Sequence, residues 1–392
     1  MFTDCIIMAG GSGTRLWPAS NSRCPKQFLE IPGGGTFFKS ALERAFAVTE
    51  SDGLVIIVTG MGHVPHVIKA CGDLPEPQRK RIVVIPEPVG KNTAPAIACA
   101  ATFIKKQATH NKRNALVLTS DHIIGPLQDF AADAATAAQL AASDALVVFG
   151  IPPQRPETGF GYIEAGSQVS PLGTGEAPET GVALEARAYK VTRFREKPDL
   201  ATAQSFIAKG NFFWNSGMFA FSVDFMLSQF REHAPETIAP FEALPQPLPE
   251  HKETQQGVAL LSRWPGLKEA YTAVAPISID YAIAEKCPSV AMVASRFYWI
   301  DVGSWDEYAK ILEQGKTEAN SASQSVFTAG SSNCFVDSDI PVALCGVEDL
   351  IVVVRSGADG KTPSVLICKK GESQQVKTIV EQIKNADRGD LL

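Results

Sequence analysis

Short apolar runs punctuate the first 150 positions at regular intervals, at residues 5–8, 54–59, 81–85, 115–119 and 145–149. They are mostly apolar throughout rather than alternating, which is the pattern of strands covered on both faces of a sheet. Between them, residues 36–48, 64–71, 93–107 and 128–142 read as helices. The last two are alanine-rich and suit close packing on a sheet. This βαβα order predicts an α/β fold with an open, mainly parallel sheet. Ligands of such sheets bind at the carboxyl ends of the strands, so the polar residues that follow each run draw the eye.

Near Gly150 the rhythm changes. Segments 161–165 and 188–194 read as strands around a loop rich in Gly, Ser and Pro. Helix 200–209, strand 216–221 and helix 223–232 follow. Residues 234–250 are proline-rich and are expected to run over the surface; a further helix is expected at 279–286. A polar stretch at 314–324 marks the expected boundary between a large domain over 1–318 and a small one over 325–392. Strands at 351–354 and 365–368 make the small domain β-rich, and an amphipathic helix at 374–384 closes it.

Composition narrows the classes. The chain has 392 residues, 45% of them hydrophobic and 20% charged, enough for a sizeable core. A net charge of -6 supplies no basic field to gather nucleic acid. No apolar run is long enough to cross a bilayer. Eight cysteines are scattered without a CxxC pair, and in apolar contexts such as that of Cys99 they read as reduced, buried thiols. A soluble, reduced, cytoplasmic protein without nucleic-acid or membrane partners is expected, with a homodimer left open.

Candidate chemistry starts at residues 8–18, MAGGSGTRLWP. A dinucleotide fingerprint would need Gly or Ala where Leu16 stands, and a Walker A loop would need Gly-Lys-Ser/Thr where Thr14-Arg15 stands. What remains is a run of backbone N–H groups, from Gly10, Gly11, Gly13 and Thr14, able to wrap an anion closely. Arg15 adds a fork-shaped phosphate donor, and Lys26 a second cation a short loop away. Asp121 and Asp301 each follow an apolar run. Carboxylates at strand ends beside a polyphosphate suit a hard, octahedral Mg²⁺, whereas most strand-end aspartates serve as caps or turn residues.

Taken in order, GGSGTRLWPxS…PKQF, EPVGKNTAPAI, TSDH, GYIE, FREKPD, NSGMF, SIDYAIAEK and WIDVGSWDE resemble the mannose-1-phosphate guanylyltransferases, within the sugar-1-phosphate nucleotidyltransferases. The resemblance implies a Rossmann-like, GT-A-like catalytic domain and a small C-terminal domain built as a short left-handed β-helix. It implies synthesis of GDP-mannose and pyrophosphate from GTP and mannose 1-phosphate, with Mg²⁺. By position, Arg15 would hold the leaving pyrophosphate, Lys26 the α-phosphate and Lys197 the sugar phosphate, while Asp121 and Asp301 would hold the metal. Glu87, Lys91, Asn92, Thr93 and Ser120 fall on the nucleotide side. Asn92 and Thr93 also read as a helix start. Gly161, Glu164, Glu196 and Asn215 fall on the sugar side.

Other residues carry plainer readings. His122 reads as structural, His63 and His66 as surface residues of a helix start, and Trp299 and Trp305 as packing of the site wall. The Phe212–Trp214 stretch is core or pocket wall; Asp280 matches a position of the resembled family and also reads as a first-turn charge of its helix. Relatives commonly carry arginine after Trp-Pro-x-Ser; here Asn21 stands there and Arg23 comes two places later. Insertion-like residues 356–363 interrupt the C-terminal strand pattern. Transfer to another sugar phosphate, use of another nucleotide, and a non-catalytic binding subunit are the rival readings.

Overall fold

The computed structural model describes every residue except 12, 22–23, 32–33, 108–111, 170–186, 315–325, 358–361 and 392. Arg23, nearly all of the expected 314–324 boundary and the middle of segment 356–363 therefore lie outside the described residues. The chain divides into two compact units. The first holds Met1–Gly10, Ala41–Ser120 and Ile124–Trp299; the second holds Gly11–Ser40, Asp121–Ile123 and Ile300–Leu392.

The first unit is built on an 11-stranded sheet. Its strands, in spatial order, are Glu253–Gln255, Val258–Leu260, Ile82–Glu87, Val55–Gly60, Asp4–Met8, Asn114–Thr119, Phe212–Ser222, Leu146–Ile151, Val290–Ala294, Ala188–Arg195 and Tyr162–Gln168. From Val258–Leu260 to Asn114–Thr119 every neighbouring pair is parallel. Four of these five strands carry apolar runs of the first 150 positions, and the helix Thr93–Gln107, buried from Ala94 to Ile104, packs against the strands Asp4–Met8 and Val55–Gly60. Small alanine side chains let that helix approach the sheet closely.

Beyond Asn114–Thr119 the expectation of a mainly parallel sheet needs correction. Phe212–Ser222 enters between two strands of the opposite direction and pairs antiparallel with both; Ala188–Arg195 also pairs antiparallel on both sides. The sheet is mixed. The apolar strand Phe212–Ser222 fits a central position whichever way it runs, so hydrophobicity alone carries no direction.

Three further expectations are revised. Part of the proline-rich stretch forms the helix Pro235–Glu242, which buries Ile238 and Phe241. Pro235 stands at its first turn, where a missing N–H costs nothing. The expected helix at 279–286 is a short π-type turn, Asp280–Ala284. His63 and His66 flank the start of the helix Val64–Gly72 and are half-buried rather than exposed.

The second unit has its own core, in which Leu16, Trp17 and Phe37 pack with Val302, Trp305 and Tyr308 and with Phe335, Ile351, Val376 and Val380. Its C-terminal strands coil. Val326–Ala329 pairs parallel with Val342–Cys345, and Phe335–Ser338 with Leu350–Arg355. Val326 faces Val342, Ser332 faces Glu348 and Phe335 faces Ile351, so the same offset recurs at three places. A constant parallel offset is the repeat of a β-helix turn. Ser364–Lys369 then closes the structure antiparallel on Leu350–Arg355, and the amphipathic helix Val376–Asn385 buries Val376 and Val380.

Candidate active site

In the second unit the glycine loop closes on Lys26. Gly11 and Gly13 have φ of +92° and +57°, left-handed values that side chains disfavour. A Cβ on Gly13 would sit 2.3 Å from the Lys26 Cβ, so only glycine permits this approach. Thr14–Leu16 and Lys26–Phe28 are short 3₁₀ turns, and the Ser20 hydroxyl donates to the Gly13 carbonyl. Leu16 is buried and Arg15 is exposed, its Nη1 close enough to Gly303 that a Cβ there would be 3.3 Å away.

Lys26 is only 6% exposed. Its Nζ donates to Asp121 Oδ2 at 2.9 Å and to Asp301 Oδ1 at 3.2 Å. Two aspartates 180 positions apart thus meet on one ammonium, which a sequence cannot show. His122 Nε2 lies 3.8 Å from a carboxylate oxygen of each. Burial works against both ionised partners, but the attraction wins. The Lys26 pKa is raised by the two aspartates, and Lys26, then His122, hold Asp121 at about 2. Asp121, His122 and Asp301 offer ligand atoms within 4.8 Å of one another, a donor set with two hard oxygens.

In the first unit Glu87 ends its strand, 8% exposed, with one carboxylate oxygen near Gly10. Burial pushes its pKa up to about 7 against a small opposing effect of Tyr271. The Tyr271 hydroxyl lies beside both Glu87 and the Cys99 thiol. Neither Glu87 Oε1 nor that hydroxyl makes a well-aligned hydrogen bond among the described residues. Ser120 is buried and donates its N–H to the Met8 carbonyl.

Segment 91–94 is laced to segment 277–279. The Ile277 N–H donates to the Lys91 carbonyl, the Ala94 N–H to the Ile277 carbonyl, and the Ile279 N–H to Thr93 Oγ1. Asn92, at φ +70°, accepts from the Thr93 N–H through Oδ1, so it braces the turn rather than capping the helix two or three residues on.

The sugar-side residues split. Gly161 brings Glu196 and Asn215 together: a Cβ there would lie 2.5 Å from Glu196 Oε2 and 3.4 Å from the Asn215 Cβ. Asn215 Nδ2 donates to Asp280 Oδ1 at 2.9 Å. A cavity of about 390 Å³ is lined by Asn92, Thr93, Glu196, Lys197, Ser278 and Asp280 among others. Lys197 is held by the Glu196 carboxylate in a left-handed backbone, φ +42°, the kind of strain that functional sites retain. Glu164 is engaged elsewhere, with Arg193 Nε at 3.5 Å and Asn211 Nδ2 at 3.4 Å, and does not line this cavity.

Asp280, which the sequence offered as a family position or a first-turn charge, stands in the first turn of its element and lines this cavity. Burial, then the Glu196 charge, push its pKa up to about 6. The SIDYA stretch offered the only signal, and nothing in it distinguishes a buried carboxylate from a solvated one.

The sequence profile described as "Nucleotidyl transferase" matches residues 4–318. The chain belongs to that family. A second profile, "MannoseP isomerase/GMP-like beta-helix domain", matches residues 325–383, the coiled strands and most of the closing helix. The nucleotidyl transferase chain is 35% identical to the xanthan biosynthesis protein XanB of Xanthomonas campestris pv. campestris, over 98% of this chain and 74% of that one. It is 34% identical to the mannose-1-phosphate guanylyltransferase of Escherichia coli K12, over 97% and 73% respectively. Among solved structures, the mannose-1-phosphate geranyltransferase from Thermus thermophilus superposes with a TM-score of 0.75 at 28% identity, covering 98% of this chain and 100% of that one.

Proposed function

We propose that this nucleotidyl transferase makes GDP-mannose and pyrophosphate from GTP and mannose 1-phosphate. The observation that carries the reading is Lys26 held between Asp121 and Asp301 beside the glycine loop, in a chain similar along most of its length to a mannose-1-phosphate guanylyltransferase. A sugar-phosphate oxygen bonds to the α-phosphorus in line, the bond from that phosphorus to the α–β bridging oxygen breaks, and pyrophosphate leaves with the electron pair. No protein nucleophile is needed. Catalysis is positioning and neutralisation of charge.

The residues then take these roles. Backbone N–H groups of Gly10, Gly11, Gly13 and Thr14 wrap the triphosphate. Arg15 neutralises the departing pyrophosphate, and Lys26, buried and fixed by two carboxylates, meets the α-phosphate without searching for its position. Asp121 and Asp301, whose hard oxygens suit it, would hold Mg²⁺; when bound, the ion supplies Lewis-acid polarisation of the phosphate oxygens. Glu87 accepts the donor pair on the guanine edge, with Lys91, Asn92, Thr93 and Ser120 on the nucleotide side. Lys197 takes the sugar phosphate, and Gly161, Glu164, Glu196 and Asn215 the sugar.

The same reading divides the chain into a catalytic domain over 1–318, Rossmann-like and GT-A-like in its parallel half, and a left-handed β-helical domain over 325–392. Eight free cysteines fit the reducing cytoplasm. The test is pyrophosphate release across a matrix of nucleotides and sugar 1-phosphates with Mg²⁺. GTP with mannose 1-phosphate is expected to lead; equal turnover of UTP with glucose 1-phosphate would defeat the proposal.

A further inference from the structure

The helix Trp305–Gln314 begins directly after Asp301-Val302-Gly303-Ser304. Trp305 is fully buried, and its Nε1–H donates to the Trp17 carbonyl at 2.9 Å. Trp17 directly follows the turn that carries Arg15. Tyr308 stands one turn on, on the same helix face. It too is buried, and its hydroxyl donates to the Glu30 carbonyl at 2.7 Å, two residues past the turn that carries Lys26. The Tyr308 ring stacks on Phe37, and Phe37 faces the Lys26 ammonium, 5.8 Å from its ring centre.

Both arms of the phosphate loop therefore hang from one helix face, and the chain entering that helix carries the Asp301 carboxylate that Lys26 grips. We infer that Trp305 and Tyr308 are positioning residues for the nucleotide, setting the spacing among Arg15, Lys26 and Asp301. This rests on the proposed reaction. Shape alone would ask only for aromatic rings at these places. The two polar hydrogens are what register the loop, because each satisfies a main-chain carbonyl that phenylalanine would leave without a partner.

The test substitutes Trp305→Phe and Tyr308→Phe separately, keeping the rings and removing the donors. The readouts are kcat and KM for each substrate, GTP affinity by titration calorimetry, and thermal stability. Each variant is expected to lose about tenfold in GTP affinity and in kcat/KM for GTP, with the KM for mannose 1-phosphate within about twofold of the parent. Unchanged GTP affinity in both variants, or equal rises in both KM values, would overturn the inference. If Trp305→Phe fails to fold, Tyr308→Phe decides. If the parent binds GTP yet makes no GDP-mannose, the proposed reaction fails while the calorimetry still judges the positioning.

Discussion

Two pairs of carboxylates, one pair in each unit, are treated in opposite ways. In the second unit Asp121 and Asp301 share the Lys26 ammonium, and the charged forms of Lys26 and Asp121 are favoured despite burial. In the first, Glu87 and Asp280 are buried without full compensation, and their charged forms are disfavoured. A group that must meet polyphosphate benefits from a charge that stays constant near neutrality. On the proposed reading Glu87 meets a neutral base, where an acceptor close to titration suffices. Partial desolvation also strengthens any hydrogen bond such an acceptor makes.

The most severe way to break this contrast is to neutralise a carboxylate on the compensated side. Asp301→Asn is expected to lower kcat by about a thousandfold, measured by pyrophosphate release, with a cooperative thermal transition retained. Removing the compensation itself comes next. Lys26→Met leaves two carboxylates without their ammonium and should destabilise the protein by about 3 kcal/mol in urea unfolding, besides abolishing turnover.

The uncompensated side is sharpened by pH. Glu87 has a folded pKa raised from 4.5 to about 7, so between those values the folded state holds protons that the unfolded state has lost. Its stabilising contribution is full below pH 4.5 and is lost as pH rises through about 7, a fall of about 3 kcal/mol if this group acts alone. Asp280 adds a smaller loss of the same sign between 3.8 and about 6. Urea midpoints measured from pH 5 to 8 should fall, and Glu87→Gln should flatten that slope. The mildest test is Gly161→Ala. Its methyl would displace the Glu196 carboxylate, raising the KM for mannose 1-phosphate by about tenfold while the KM for GTP stays put.

Much of this was legible beforehand, for identifiable reasons. Apolar runs and alanine-rich helices found the parallel half of the sheet, because burial on both faces leaves that signature. The direction of Phe212–Ser222 was not legible, since an apolar strand looks the same either way up. Nor was the helix Pro235–Glu242, where two prolines argued for a loop although one stands in a position that helices accept. At the candidate site, motif order nominated Lys26, Asp121 and Asp301 singly. That one ammonium joins both carboxylates is a long-range fact, written in no local stretch. The burial of Asp280 was not legible for a related reason: its neighbours Glu196 and Asn215 come from distant segments, and only they reveal it.

The loop Gly11–Ser40 belongs with a part of the chain made much later. Trp17 is fastened at one side to Trp305 and at the other, through its own indole N–H, to the Leu391 carbonyl, contacts that span 288 and 374 positions. During synthesis this loop emerges long before either of its fastenings and stays unanchored until both have followed. Contacts of such separation form late. A chain interrupted before Trp305 would therefore carry this loop without either fastening.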